Sequence, residues 1–511
     1  MNNETLPPKN YNFDPDTGKP IEKLPDVDRR DYPHLAVFAV LALFTANSIY
    51  AGGWQLGFAV GALGMLLCTL IYLRGNLHFS PLAVVSLAAS VCMIVSFAIY
   101  QNTAFAVFKI LFLLLSLSVF FVSAYGIKAP SLDDFRALLA PFYLLFGVSA
   151  PSVAPTVRAL GSKQATMGKK IGKVLLGLCL ALPILLVLTS LLIFADQAFE
   201  SFIDGIDFNF GEFLSTVLFG AVLLLILFPV LFAVRKNTVK LKAASGKAYC
   251  SVLDGTLANT VLGMVALLYL VFLCTQLSYL IGGFAGLLPE DYTYAQYARR
   301  GFFEMCVICV LNLGLLFFAE LLVRRDADGK LPWLTRALSV FISGFSIFLV
   351  VVSIAKMFLY IRSYGLTFLR LGTSIFMFFL FFVFAAMILK VFCKNFKHMR
   401  AILAAACVIL SLTALAEPYQ IITKYNVYAY ECGMHDAYEL DTRYLAYDCG
   451  SYGAAALIEL SRDKNTDVAD RAKKQLDNMH SRYYFADNDL RGASLSSLRA
   501  QKALAEYYAN N

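Results

Sequence analysis

Four arginines stand where a membrane chain rarely places them. Arg299 and Arg300 lie in the stretch YARRGFFEM (297–305), with Glu304 a turn further on, and Arg362 and Arg370 lie in YIRSYGLTFLRLGT (360–373). A guanidinium offers a planar fork of donors that can hold a carboxylate or phosphate by two bonds at once. The chemistry on offer is therefore recognition of an anion or headgroup, or pairing with an acidic partner. On a helix Tyr297, Arg300, Gly301 and Glu304 share one face, and Arg300 reaches Glu304. A plainer reading sits beside this one: Arg on lipid phosphate and Tyr among the headgroups, as an anchor.

Other chemistry is sparser. Cys306 and Cys309 form a CxxC inside an apolar run, with no second pair or histidine near in sequence, so neither metal nor cofactor is expected. The histidines make no HExxH spacing, and there is no P-loop, GxGxxG or GxSxG. No nucleophile and base fall together, and the reading leans away from an enzyme.

The elements that position these residues are membrane spans. Of 511 residues 59% are hydrophobic and 15% charged, with a mean hydropathy of +0.66, which a soluble packing could not hide. Runs of roughly 20 apolar residues, enough for about 30 Å of hydrocarbon, recur between 34 and 416. Eleven are expected: 34–50, 54–73, 81–100, 104–125, 171–195, 211–234, 256–282, 300–323, 333–360, 371–389 and 399–416. They are too long and too rich in Leu and Phe for barrel strands. The fold class is an all-α, polytopic transmembrane bundle with a small C-terminal extracytoplasmic α domain.

Lys and Arg mark the cytoplasmic side. The polar residues 1–33 read as a disordered cytoplasmic tail. Alternate connections beyond it are basic, for example Arg235, Lys236, Lys240, Lys242 and Lys247, whereas 196–210 holds Asp196, Glu200, Asp204 and Asp207 and no Lys or Arg. Residues 138–149 are too short to cross, and lie among Pro130, Pro141, Pro151 and Pro155, so 130–160 reads as an interfacial or re-entrant piece on the cytoplasmic face. An odd number of crossings puts 417–511 outside. The charge of +8 is thus an orientation signal, and no nucleic-acid partner is expected.

Residues 417–511 carry twelve of the 27 tyrosines and several short amphipathic patterns, with Val468, Ala472, Leu476 and Met479 on one stripe and Leu498, Leu504 and Tyr508 on another. So small a domain is expected to rest on the outer ends of the spans. Cys432 and Cys449 fall in it, and a disulfide between them and two free thiols are equally open. Gly53, Gly57 and Gly61 recur every fourth residue, a small-residue stripe for close helix packing. Inside the spans, Lys109, Lys356, Glu320, Asn259, Gln276 and Asn312 are read as positioning groups, with Lys356 placed to pair with Glu304.

Four stretches, YAQYARRGFFEM, YGLTFLRL, KYNVYAY and LDTRYLAYD, in this order, resemble a family of bacterial multi-span membrane proteins known as a domain of unknown function, number four-one-seven-three. The resemblance covers about 170–510. It implies a bacterial inner or plasma membrane and little chemistry. It also singles out Tyr297, Arg299, Gly301, Phe302, Tyr364, Gly365, Leu366, Thr367, Arg370, Asn426, Asp441, Tyr444 and Leu445. Arg300 stands where the family favours Glu.

The topology puts all four stretches on one side. Tyr297, Arg299, Arg300, Glu304, Arg362, Tyr364 and Arg370, with Asn426 and Asp441, are therefore expected to form one outward site or docking seam. The function expected is an integral membrane protein binding an anionic ligand or a protein partner there, with signalling through the basic loops. The alternative is a transporter of an anionic or amphiphilic solute, and a lipid-directed or wall-directed enzyme comes third.

Overall fold

The computed structural model describes residues 26–100, 103–125, 140–161, 210–236, 253–284, 302–326, 330–393, 396–436, 438, 440–484 and 490–510, with isolated positions between 177 and 195. The expected span 171–195 and acidic connection 196–210, and Tyr297, Arg299, Arg300 and Gly301, lie outside the described residues.

The spans are α1 (Asp31–Gly52), α2 (Leu56–Leu73), α3 (Pro81–Ile99), α4 (Thr103–Ala124), α6 (Phe210–Arg235), α7 (Gly255–Phe284), α8 (Phe302–Leu322), α9 (Trp333–Tyr364), α10 (Phe368–Phe392) and α11 (His398–Leu415). Each is long and apolar enough to cross a membrane, and each coincides with an expected run. Local signals set their ends. Ser80 caps α3 by accepting from the N–H of Ala83, with Pro81 in the first turn.

Neighbours in the bundle run α6, α1, α2, α3, then α11, α10, α9, and α9 receives both α7 and α8. One buried core centres on α7–α10 and also takes Leu82, Val119, Met399 and Leu403, two others centre on α1–α4 and α6, and α11 links the halves. Gly57 and Gly61 face α1 so closely that an added Cβ would meet Ser48 Cβ at 2.6 Å and Thr45 Oγ1 at 2.2 Å. Gly53 does not share that role: nothing lies within 4 Å of its Cβ position, and its φ of 72° ends α1.

Residues 140–161 are helical, through a π-helical stretch Tyr143–Ser149 and then α5 (Ala150–Gly161). Ser149 Oγ donates to the Ile226 carbonyl at 2.6 Å, and Tyr32 OH donates to that of Leu160 at 3.1 Å. Leu144, Val148 and Ala159 share a core with Tyr72 and Phe232.

Two sets of contacts define the ends of the bundle. At the tail end, Asp31 is wholly buried and takes Arg235 at 3.1 Å, Lys236 at 3.0 Å and the Tyr72 hydroxyl at 2.9 Å. Glu320 there pairs with Lys390 and lies 3.3 Å from His398. At the other end sits the C-terminal domain, whose helices are α12 (Pro418–Glu431), α13 (Thr442–Tyr447), α14 (Gly453–Leu460), α15 (Thr466–Tyr484) and α16 (Leu495–Ala509). Its core includes Leu445, Leu457, Val468, Ala472, Leu476, Met479 and Leu504, so the expected stripe on α15 is buried, whereas Leu498 on α16 is exposed.

Polar groups within the spans are bonded between helices. Asn312 Nδ2 donates to Ser346 Oγ at 2.9 Å and its Oδ1 accepts from Tyr269, while Thr335 Oγ1 donates to Asn259 Oδ1 at 2.7 Å. Lys109 is buried, with Nζ 3.3 Å from the Ser96 carbonyl and 4.1 Å from the centre of the Phe97 ring.

Candidate functional site

The C-terminal domain is fastened to the bundle through the turn between α9 and α10. α9 stops at Tyr364 because Gly365 adopts φ 76°, a conformation costly for any residue with a Cβ. Thr367 then caps α10, so Leu366 is left with backbone groups that neither helix can satisfy. Asn426 on α12 takes both: its Oδ1 accepts from the Leu366 N–H at 2.7 Å and its Nδ2 donates to the Leu366 carbonyl at 2.9 Å. The Phe368 N–H donates to Tyr444 OH at 2.9 Å, and the Phe368 ring stacks on Tyr419 at 5.1 Å. Burial pushes the Tyr444 phenol up to about 12, against the N–H of Phe368, so it remains a neutral donor and acceptor.

Arg370 meets no carboxylate among the described residues. Its Nη1 donates to the carbonyls of Tyr364, at 2.7 Å, and Gly365, and its guanidinium lies 4.3 Å from the centre of the Tyr360 ring. These are the open carbonyls at the C-terminus of α9, where a cation also suits the helix dipole. Asp441 caps α13, accepting from the Tyr444 N–H at 2.9 Å, and no arginine among the described residues is bonded to it. Arg362 acts electrostatically on Tyr425, and Glu304 on Lys356. Tyr364 is half exposed, its ring against Tyr360. Of the expected seam, the structure thus joins Arg362, Tyr364, Arg370 and Asn426 around one turn, leaves Asp441 at a neighbouring cap, and sets Glu304 beside Lys356.

Further contacts seat the domain. The Leu56 N–H donates to the Ala493 carbonyl at 3.2 Å, Arg491 reaches Asn47, and the Glu417 N–H reaches Tyr100 OH. Gly52 and Gly492 approach until a Cβ on Gly52 would lie 2.2 Å from the other's Cα. Of the two alternatives left open for Cys432 and Cys449, the structure has free thiols: Cys432 is exposed at the end of α12, while Cys449 is buried in the domain core beside Thr423. Cys306 and Cys309 also look different ways, one toward Met377 and the other toward the Ser346 carbonyl.

Sequence reasoning missed a cleft of about 370 Å³ between α12, α14 and α16. At the end nearer the bundle it is lined by Thr423, Lys424, Ser451, Tyr452, Ser496 and Arg499. Tyr452 stands on Tyr100, ring centroids 6.1 Å apart, which fixes this end against α3. Glu431 and Glu459 line the far end, and Tyr430 OH bonds Asp463 Oδ1 at 3.1 Å there, so α12 and α14 run side by side in the same direction. Ser451 is 6% exposed, and its hydroxyl has no hydrogen-bond partner among the described residues. The motif KYNVYAY contained the signal, because Lys424 and Asn426 belong to different faces of one helix.

Fold and site together define a multi-pass integral membrane protein carrying a small helical domain on one end of its bundle. The family model described as domain of unknown function (DUF4153) matches residues 61–460, and the chain belongs to that family. The matched number is 4153, where the motif resemblance gave four-one-seven-three. The match takes in α2 to α4, beyond the reach of the motifs, and ends at the last residue of α14. No curated protein and no solved structure gives a significant match.

Proposed function

We propose that this protein is a receptor-like component of a bacterial plasma membrane. It binds a small polar solute in the cleft of an extracytoplasmic C-terminal domain and passes occupancy to the bundle. One observation carries the reading: Asn426, which holds the α9–α10 turn, stands between Lys424 and Val427, which line the cleft. A ligand that moves or stiffens α12 therefore acts on the backbone of Leu366. The orientation rests on the basic connections at the tail end, with the tail in the cytoplasm.

Filling the cleft imitates occupancy. Ala455→Trp and Ala503→Trp should each change amide exchange at Leu366 and Phe368 in the full chain in nanodiscs. Exchange at those amides that matches the unsubstituted protein, in variants with unchanged melting temperature, would sink the coupling.

Transport of an anionic or amphiphilic solute is the second reading, favoured by the burial of Lys109 within a span. Saturable uptake into proteoliposomes that is lost in Lys109→Met would support it over the first.

A further inference from the structure

The charges around the cleft are sorted by position. Lys424 and Arg499 stand at the end against the bundle, where Arg499 acts on Tyr452, and Glu431 and Glu459 stand at the far end. Lys424 and Glu431 are seven residues apart on one helix, so the two ends are separated by about 10 Å along its axis. Between them α12 contributes Val427 and Tyr428, and the facing walls are alanines, Ala455, Ala500 and Ala503. The Ser451 hydroxyl, buried at the cationic end, has no hydrogen-bond partner among the described residues.

We propose that the cleft takes a short linear zwitterion, a peptide of about three small residues, with its carboxylate at Lys424 and Arg499 and its ammonium at Glu431 and Glu459. The proposal rests on the ligand-binding reading above and names the class of ligand. Three extended residues span about 10 Å, which matches the separation of the charges. A free amino acid carries both charges on one carbon and cannot reach both ends. A simple anion would meet the cationic end but gain nothing from the carboxylates. The cleft lies at the small end of ligand pockets, which run from roughly 300 to 1,000 Å³. The alanines leave space beside the backbone of such a peptide for its small side chains.

The test is calorimetric titration of the full-length protein in nanodiscs with trialanine, N-acetyl-trialanine, trialanine amide and alanine. Trialanine should bind, and capping either end should weaken binding at least about tenfold, the value of one charge-assisted contact. Glu459→Gln should weaken trialanine by a similar factor and leave N-acetyl-trialanine unchanged. Lys424→Met should do the reverse, sparing trialanine amide. Both residues are exposed, so the variants should keep the parent melting temperature. Equal affinity for capped and free peptides, or no heat with trialanine, overturns the ligand class. The tryptophan variants decide the coupling separately, because they need no peptide.

Discussion

Asn426 and Leu366 exchange two hydrogen bonds across the junction between the C-terminal domain and the bundle, as two residues of a sheet would. The side-chain amide supplies one acceptor and one donor, and the turn supplies their complements. Because Leu366 is 6% exposed, water cannot readily replace either bond.

Asn426→Ala should therefore leave two buried backbone groups unpaired, at a cost of about 1–3 kcal/mol each. The domain should loosen before the bundle melts. Limited proteolysis should cut within 417–431 faster than in the parent, and an unchanged cleavage rate would contradict this.

Arg370 closes the α9 C-terminus from within the bundle. Arg370→Ala should lower stability by about 1–2 kcal/mol, from the lost charged hydrogen bonds and the ring contact with Tyr360. Arg370→Lys should recover only part, since one ammonium cannot reproduce the planar stacking. Thermal unfolding in detergent measures both, and equal melting temperatures for the two variants would count against this role.

Gly365 and Gly53 both have positive φ, but only Gly365 has a neighbour: a Cβ there would meet Asn426 Oδ1 at 2.8 Å. Substitution by Ala at either site should cost about 1–3 kcal/mol of backbone strain. Gly365→Ala should in addition raise amide exchange at Leu366. Equal exchange at Leu366 in the two variants would refute the contact.

At the tail end, Asp28 is held below its ordinary carboxylate value, first by the hydrogen bond from Lys236 at 2.9 Å and then by the charges of Lys236 and Arg235. A depressed folded value means that the contact stabilises above the ordinary value of 3.8 and is lost as pH falls through the lower folded value. Protection of amides 27–32 from exchange, corrected for the intrinsic rate, should fall from about pH 4 downward. Asp28→Asn should lose that pH dependence, and an unaltered profile in the variant would exclude Asp28 as its source.

Hydropathy made the spans legible because length in lipid is a strong constraint, yet their ends needed local chemistry. α9 was expected to stop at 360 and runs to Tyr364, since only Gly365 breaks it. Arg370 was read for its charge alone. A charge on a wrong-side connection suggested an anion, whereas Arg370 serves carbonyls of its own turn. Asn426 was legible as a seam residue because its motif stood out, but not its two bonds. The cleft was hidden because Lys424, Glu431, Glu459 and Arg499 come from three helices, and no spacing in sequence places them together. The equal odds for Cys432 and Cys449 turned on burial, which spacing does not reveal.

Two exposed native cysteines test whether the domain-bearing end of the bundle faces outward. Cys432 lies on the C-terminal domain, and Cys393 follows α10 at the tail end. With a membrane-impermeant maleimide on intact cells expressing the chain, Cys432 should be labelled and Cys393 only after lysis. Labelling of Cys393 but not Cys432 in intact cells would contradict the topology and, with it, the outward cleft.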